Sequence, residues 1–492
     1  MLPESIRIGL MRKFFPALIV GIFVVGFLVR LYRFDNPVAD WHGFRQGDTN
    51  AFSAIFSRDG INFLMPRYFD ISNVASGQDN PQGLRFVEFP IMNAVQVSLF
   101  KLFGGLTLVE WGRMVSIIAS LVSAFFIWLI VRKYANETVG FLASFFFLFL
   151  PFSIFYSRAI LPESSTAAAI LGGIYFFDKW IERSSKYRVL SSKYLVPFIL
   201  SIILTALAFL LKPYALFFTL PIVYLAFQKF GLKIIKQWQL WLFAVLTILP
   251  LVLWRMWISH FPEGVPASDW LFNGNNIRFR PSFFRWIFYE RITRLILGYV
   301  GAFFLVEGLF WLVKHKNGFF FSFLLSSIIY LSVIATGNVQ HDYYQVLILP
   351  TISILAGLGV TKLFGTLSKA FNKSIAVTIC VLLISLSFYF SWKQVRDFFN
   401  INDRTMVETG RLAASILPKD AVIIAPYDGS TMLLNIAERP GWIVFQNSIE
   451  ELIKKGATHL VITRPTQSDF DGFGRKYMPL ASSSSSLILK LK

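Results

Sequence analysis

Blocks of about twenty apolar residues recur along most of the chain, the length a helix needs to cross about 30 Å of hydrocarbon. Phe14–Val29, Met114–Val131, Leu195–Leu211 and Gly318–Thr336 are examples. A soluble domain carries about 25% charged residues; here the fraction is 15%, against 55% hydrophobic. A chain built this way folds in a bilayer. Its net charge of +19 does not point to nucleic acid, because Lys and Arg sit in short loops between apolar blocks, the footprint of membrane insertion. The single cysteine, Cys380, lies inside an apolar block. It excludes an intramolecular disulfide, a cysteine zinc site and a CxxC redox motif. The first block has Arg7, Arg12 and Lys13 before it and Arg30 and Arg33 after it, with no small-residue cleavage site. It reads as a retained signal-anchor helix.

One span per block gives about eleven helices, near 14–31, 112–131, 138–156, 164–181, 195–211, 214–228, 238–257, 293–313, 318–336, 344–361 and 375–392. With the N-terminus inside, the short basic loops fall on one side: Arg132 and Lys133; Lys179, Arg183, Lys186, Arg188 and Lys193; Lys229, Lys233 and Lys236; Lys314 and Lys316; Lys362, Lys369 and Lys373. Pro90–Phe103 is short and holds Asn93, Gln96 and Lys101, so a helix lying along the membrane surface suits it better than a span. From Arg404 helical and strand-like segments alternate, with strands expected at Ala421–Pro426, Trp442–Phe445, His459–Thr463 and Leu487–Leu491. They suggest a small α/β domain with a partly parallel sheet. The run Ser482–Ser486 reads as a flexible connection. The expected fold is therefore an all-α polytopic membrane bundle over 1–395 and a small α/β extracytoplasmic domain over 396–492, with outer loops at 32–111 and 258–292.

Unusual polar residues gather on the outer face. Asp48, in Trp41-His42-Gly43-Phe44-Arg45-Gln46-Gly47-Asp48-Thr49, is a candidate general base. It is equally a good N-cap for a helix over Thr49–Phe56. Glu88, in Arg85-Phe86-Val87-Glu88-Phe89-Pro90, is a second active-site carboxylate or a favourable charge at a helix start. Arg158 and Glu163 bound the loop between the third and fourth spans, and Lys212 sits in a tight turn before Pro213. His341, Asp342 and Tyr343 form a denser polar cluster than a turn requires. A metal held by His341, Asp342, Asp48 and Glu88 is conceivable, though no two of these have helix spacing. Arg278, Arg280, Arg285, Arg291 and Arg294 break the charge rule on the outer side. Arginine forks bind phosphate bidentately, so a lipid-linked phosphate is a candidate partner. Loose contact with anionic lipid, or pairing with Glu263, Asp269 and Glu290, is the alternative.

The order of these motifs (FRQxDT after one span, EFP before a surface helix, FYSRxxLPE between spans three and four, and HDYY ahead of Leu349-Pro350 and Leu355-Ala356-Gly357) resembles glycosyltransferase family 39. That family includes bacterial relatives of the dolichyl-phosphate-mannose protein O-mannosyltransferases, and neighbours the aminoarabinose transferases of the GT-C fold. The resemblance covers essentially the whole chain. It implies a multi-pass enzyme of a prokaryotic cytoplasmic membrane with its active site outside. Such an enzyme moves a sugar from a polyprenyl-phosphate donor to a hydroxyl of a glycan, lipid or protein. Asp48 takes the family's base position, and Glu88 matches the EFP glutamate. Arg45, Arg158, Glu163, Lys212, Arg278, Arg280, Arg285, His341, Asp342 and Tyr343 are expected around the donor phosphate and sugar. Where the aminoarabinose transferases carry a lysine after the glutamate, this chain has Phe89; it also lacks the inserted soluble domain of the eukaryotic O-mannosyltransferases. No cofactor is implied beyond the lipid-linked donor. A transporter or flippase of lipid-linked sugars is the rival reading, and a polymerase or ligase of surface polysaccharide a third. Transporters place polar residues near the bilayer midplane and often show paired repeats; here the polar residues lie at one face, without a visible repeat.

Overall fold

The computed structural model describes residues 4–183 and 192–492; Lys186 and Arg188 of the expected inner loop lie outside the described residues. Each expected apolar block is helical. The helices are Glu4–Val29, Leu108–Tyr134, Glu137–Phe149 followed by Pro151–Tyr156, Glu163–Arg183 and Ser192–Leu211. Leu220–Phe230, Trp238–Ile258, Gly301–His315, Gly318–Val333, Leu349–Ala370 and Lys373–Val395 complete the bundle. Among the described residues, six helical stretches are long and apolar enough to cross a membrane alone, or seven if one bent pair counts as a span. Length and composition thus support six or seven of the eleven expected spans.

The bent pair corrects the straight helix expected near 293–313. Pro281–Ile296 and Gly301–His315 meet at 115°. Gly298 sits at φ +54° against the backbone of the helix Lys373–Val395, where an added Cβ would lie 2.1 Å from the Ser387 carbonyl oxygen. That helix also bonds carbonyls beside the break: Ser387 Oγ donates to Leu297 O at 2.7 Å, which Gly301 N also reaches at 2.9 Å, and Ser391 Oγ donates to Leu295 O at 2.9 Å. Helices Gly301–His315 and Leu349–Ala370 touch backbone to backbone: a Cβ at Gly359 would fall 1.9 Å from Phe304 O, and one at Gly308 2.1 Å from Leu355 O. Small residues permit such approach in a medium that offers no hydrophobic drive between helices.

The segment expected along the membrane surface forms the helix Ile91–Phe103, with Val95, Leu102 and Phe103 exposed and Asn93 and Gln96 buried. Asn93 donates to Thr49 O at 2.6 Å, and Gln96 to Leu108 O at 2.7 Å. Its polar residues therefore anchor it to neighbouring segments.

The C-terminal residues form a five-stranded sheet of β1 (Ile423–Ile424), β2 (Gly441–Trp442), β3 (His459–Thr463), β4 (Met478–Ser482) and β5 (Ser486–Lys490), in the order β2-β1-β3-β5-β4. β1 runs parallel to β2 and β3, whereas β5 is antiparallel to β3 and β4. The serine run is not a flexible connection. It is the turn between β4 and β5, closed by Ser483 N to Ser486 O at 2.9 Å and Ser486 N to Ser483 Oγ at 3.1 Å, as serine hydroxyls do in turns. The sheet gains an edge from the 32–111 loop: Ile71 N donates to Gly441 O, and Gly441 N to Phe69 O, both at 2.9 Å. Ala39, Phe52, Tyr68 and Phe69 of that loop share one buried core with Met406, Val407, Leu433 and Leu434. The small domain is thereby packed onto the end of the bundle that carries the polar motifs.

Candidate active site

The helix carrying Asp48 begins earlier than a cap at that position allows. It runs Gly43–Asp59, with His42 at the N-cap position in a left-handed conformation, φ 55°. Asp48 therefore lies in the second turn and caps nothing. Arg45, Asp48, Thr49 and Phe52, spaced as one helix face, are all buried. Asp48 accepts from Arg85 Nη2 at 3.2 Å through Oδ2, and from Thr431 Oγ1 at 2.5 Å through Oδ1. Arg85 also stacks over the Tyr68 ring at 5.0 Å.

Glu88 precedes the helix Ile91–Phe103, whose N-cap position is Pro90. Both its oxygens accept from Arg45 Nη2, at 2.5 and 2.7 Å, and Lys212 Nζ lies 3.7 Å away. Burial works to raise its pKa, but the charges of Arg45 and Lys212 and the Arg45 hydrogen bond outweigh it, leaving Glu88 below the ordinary carboxylate value. Lys212 also pairs with Glu163, the first residue of the helix Glu163–Arg183. The rings of Tyr344, Tyr343 and Tyr214 surround its ammonium at 5.0, 5.6 and 5.8 Å. Charges this deeply buried persist when paired and hydrogen-bonded, and these ones are.

A cavity of about 870 Å³ opens between this end of the bundle and the small domain. Arg45, Asp48, Glu88, Lys212, His341 and Tyr343 of the expected set line it. His341 is pushed down to about 4 by burial and then by the neighbouring His42. It stacks on Tyr343, ring centres 5.4 Å apart.

The other expected residues do not line the cavity. Arg158 is buried, donating to Asp40 Oδ2 at 2.6 Å and to Arg33 O at 2.9 Å. Glu163 stands behind Lys212. Asp342 points away, bonded to His42 Nε2 at 2.5 Å, Trp41 Nε1 at 3.1 Å and the Tyr156 hydroxyl. Arg278 donates to Val333 O at 3.2 Å, Arg285 faces Glu290 at 3.5 Å, and Arg280 is exposed. All three precede the break at Gly298, which sets their segment off from the helix Gly301–His315. Of the residues considered for a metal, Asp48 and Glu88 are each held by an arginine and Asp342 faces elsewhere. Among the described residues, no three His, Cys, Asp or Glu side chains group as metal ligands.

Several lining residues were not singled out from sequence: Tyr68, Asp70, Arg85, Arg255, Tyr344 and Thr431. Arg255 carried a signal, being a cation in the last turn of the apolar helix Trp238–Ile258. Arg85 stood in the Glu88 motif. Thr431 lies 383 residues from the carboxylate it touches, and no local pattern marks it.

Residues 88–257 match the family model of dolichyl-phosphate-mannose-protein mannosyltransferases. No curated protein matches the sequence. Among solved structures, ArnT from Cupriavidus metallidurans bound to undecaprenyl phosphate is similar with a TM-score of 0.65 and 14% identity, over 96% of this chain and 98% of that one. The archaeal oligosaccharyltransferase AglB from Archaeoglobus fulgidus, in complex with an inhibitory peptide and a dolichol-phosphate, is similar with a TM-score of 0.59 and 10% identity, over 93% and 70%. The chain thus has the GT-C fold of these transferases and carries the mannosyltransferase-family pattern over 88–257, the stretch that supplies Glu88, Glu163 and Lys212.

Proposed function

We propose that the chain is a membrane glycosyltransferase that moves a sugar from a polyprenyl-phosphate donor to an acceptor hydroxyl on the extracytoplasmic face. The observation that carries this reading is one cavity, where the bundle meets the small domain, whose lining combines the Asp48 carboxylate with the cations of Arg45, Arg85, Lys212 and Arg255. The family match and the lipid phosphates bound by ArnT and AglB support the donor class. The sidedness of the basic loops supports the orientation.

In this mechanism the donor's prenyl chain lies in the bilayer and its phosphate reaches Arg45, Lys212 and Arg255. Asp48 accepts the proton of the acceptor hydroxyl as that oxygen bonds the anomeric carbon. The bond from that carbon to the phosphate oxygen breaks, and polyprenyl phosphate leaves with the electron pair, its charge met by the cations. One displacement inverts the anomeric centre. Glu88 and Glu163 hold Arg45 and Lys212 in place.

The test uses protein reconstituted in liposomes with a polyprenyl-phosphate sugar labelled in the sugar. Transfer of label to a hydroxylic acceptor with stoichiometric polyprenyl phosphate supports the proposal. Transbilayer movement of intact donor without cleavage would establish the flippase reading instead.

A further inference from the structure

We infer that Thr431, from the C-terminal domain, is a positioning residue for Asp48, so that the reaction centre is complete only when that domain is docked. The inference rests on the reading of Asp48 as the base. It goes further by assigning a residue 383 positions away to the same centre.

Thr431 occupies the N-cap position of the helix Met432–Ala437, where a threonine hydroxyl ordinarily accepts from the backbone of its own helix. Here it makes no such bond. Asn435 Nδ2 donates to Thr431 Oγ1 at 3.2 Å, and that oxygen lies 2.5 Å from Asp48 Oδ1. A hydroxyl has one proton to give, and an ionised carboxylate only accepts. With Asn435 donating to the oxygen, the Thr431 proton is directed at Asp48. Arg85 holds the other carboxylate oxygen at 3.2 Å. One donor on each oxygen fixes rotation of the carboxylate, and each oxygen keeps a lone pair for an acceptor hydroxyl.

The approach of the two segments is built into the helix carrying Asp48. A Cβ on Gly47 would lie 2.5 Å from Asn435 Nδ2, and one on Gly43 would lie 2.9 Å from Met432 Cε. Both contacts come from the helix that follows Thr431, so the bond to Asp48 belongs to a close helix-to-helix seat. Thr431 is buried yet lines the cavity together with Asp48. It can therefore aim the carboxylate toward an incoming hydroxyl while remaining shielded from bulk water.

The experiment compares Thr431→Val, Thr431→Ala and Thr431→Ser in the full-length reconstituted protein. Loss of one hydrogen bond to a charged group should lower kcat about 10- to 100-fold in the valine and alanine variants. KM for donor and acceptor should hold, the melting temperature should fall by at most a few degrees, as for one buried hydrogen bond lost, and serine, which keeps the hydroxyl, should restore the rate. In an Asp48→Asn background, Thr431→Val should cost nothing further. Unchanged kcat in both the valine and alanine variants overturns the inference. So does a loss that serine fails to restore, a loss that appears equally in donor binding and melting, or a full additional loss in the Asp48→Asn background. Near-normal transfer by Asp48→Asn alone would instead remove the base assignment.

Discussion

Asp48 and Glu88 are each held by the arginine that precedes the other: Arg85, three residues before Glu88, donates to Asp48 at 3.2 Å, and Arg45, three residues before Asp48, donates to Glu88 at 2.5 Å. Helix Gly43–Asp59 and the loop before Ile91–Phe103 thus interlock through two crossed ion pairs. The two motifs form one device, and neither carboxylate can be moved without releasing a buried cation.

Asp48→Asn keeps the size of the side chain but has a single acceptor oxygen, so it can accept from Arg85 or from Thr431 and not from both, and it removes the negative charge. Transfer should fall by about 10²–10⁴-fold, the usual contribution of a general base, while the protein still folds and binds donor. Near-normal turnover would shift the role of base to Glu88.

Lys212 is the only cation close to both Glu163 and Glu88 among the described ion pairs. Lys212→Met leaves the buried Glu163 carboxylate without its partner, while Glu88 keeps Arg45, and should destabilise the protein by about 3–5 kcal/mol. Adding Glu163→Gln should recover part of that loss. Melting of the two purified variants in detergent checks both statements, and an additive loss in the double variant counts against the pairing.

Arg255 lines the cavity whereas Arg285 stands outside it, its side chain 73% exposed. Arg255→Ala should raise the donor KM about tenfold or more, as expected for losing a charge-assisted contact to phosphate. Arg285→Ala should leave it nearly unchanged. The reverse ranking, measured by steady-state kinetics with varied donor, would return the phosphate site to the 258–292 loop.

His341 provides a test against pH. Burial and the nearby His42 hold it at about 4, below its ordinary 6.5. Asp342, which opposes this shift, and Arg291 and Arg45, which add to it, also face it. Between these two values the unfolded chain binds the proton and the folded chain does not, so stability is lost as pH falls through the window. His341→Gln cannot titrate, and its melting temperature should depend less on pH there than that of wild type.

Much of this architecture was legible in the sequence. Each apolar block became a helix because bilayer length and hydropathy are strong, local constraints. Asp48 and Glu88, which the motifs mark, both line the cavity. The cap reading of Asp48 failed because the helix starts six residues before Thr49, at Gly43, after a histidine with no particular capping preference. The arginines of 278–294 drew attention as an exception to the charge rule. Their separation from the site follows from a break at Gly298 that depends on contact with Ser387 and Ser391, beyond the reach of periodicity. Thr431 was invisible for the same reason: its meaning lies in a partner from the other end of the chain.

The orientation is checked by thiol labelling of a Cys380→Ser protein carrying one new cysteine. Lys419→Cys, in the small domain, should react with an impermeant reagent from outside. Lys314→Cys should react only after permeabilisation. The opposite pattern would invert the topology.

The shared core of the 32–111 loop and the small domain also sets an order of events during biosynthesis. Phe52, Tyr68 and Phe69 are made long before Met406, Val407, Leu433 and Leu434, with which they are buried. At about 5–20 residues per second, the chain between them takes roughly 20–70 s to synthesise. For that interval the loop lacks the small-domain residues that cover its apolar side chains, and the end of the protein that holds the cavity is among the last parts to be completed. A stop codon anywhere before the small domain therefore leaves the apolar side chains of the first loop without the residues that cover them.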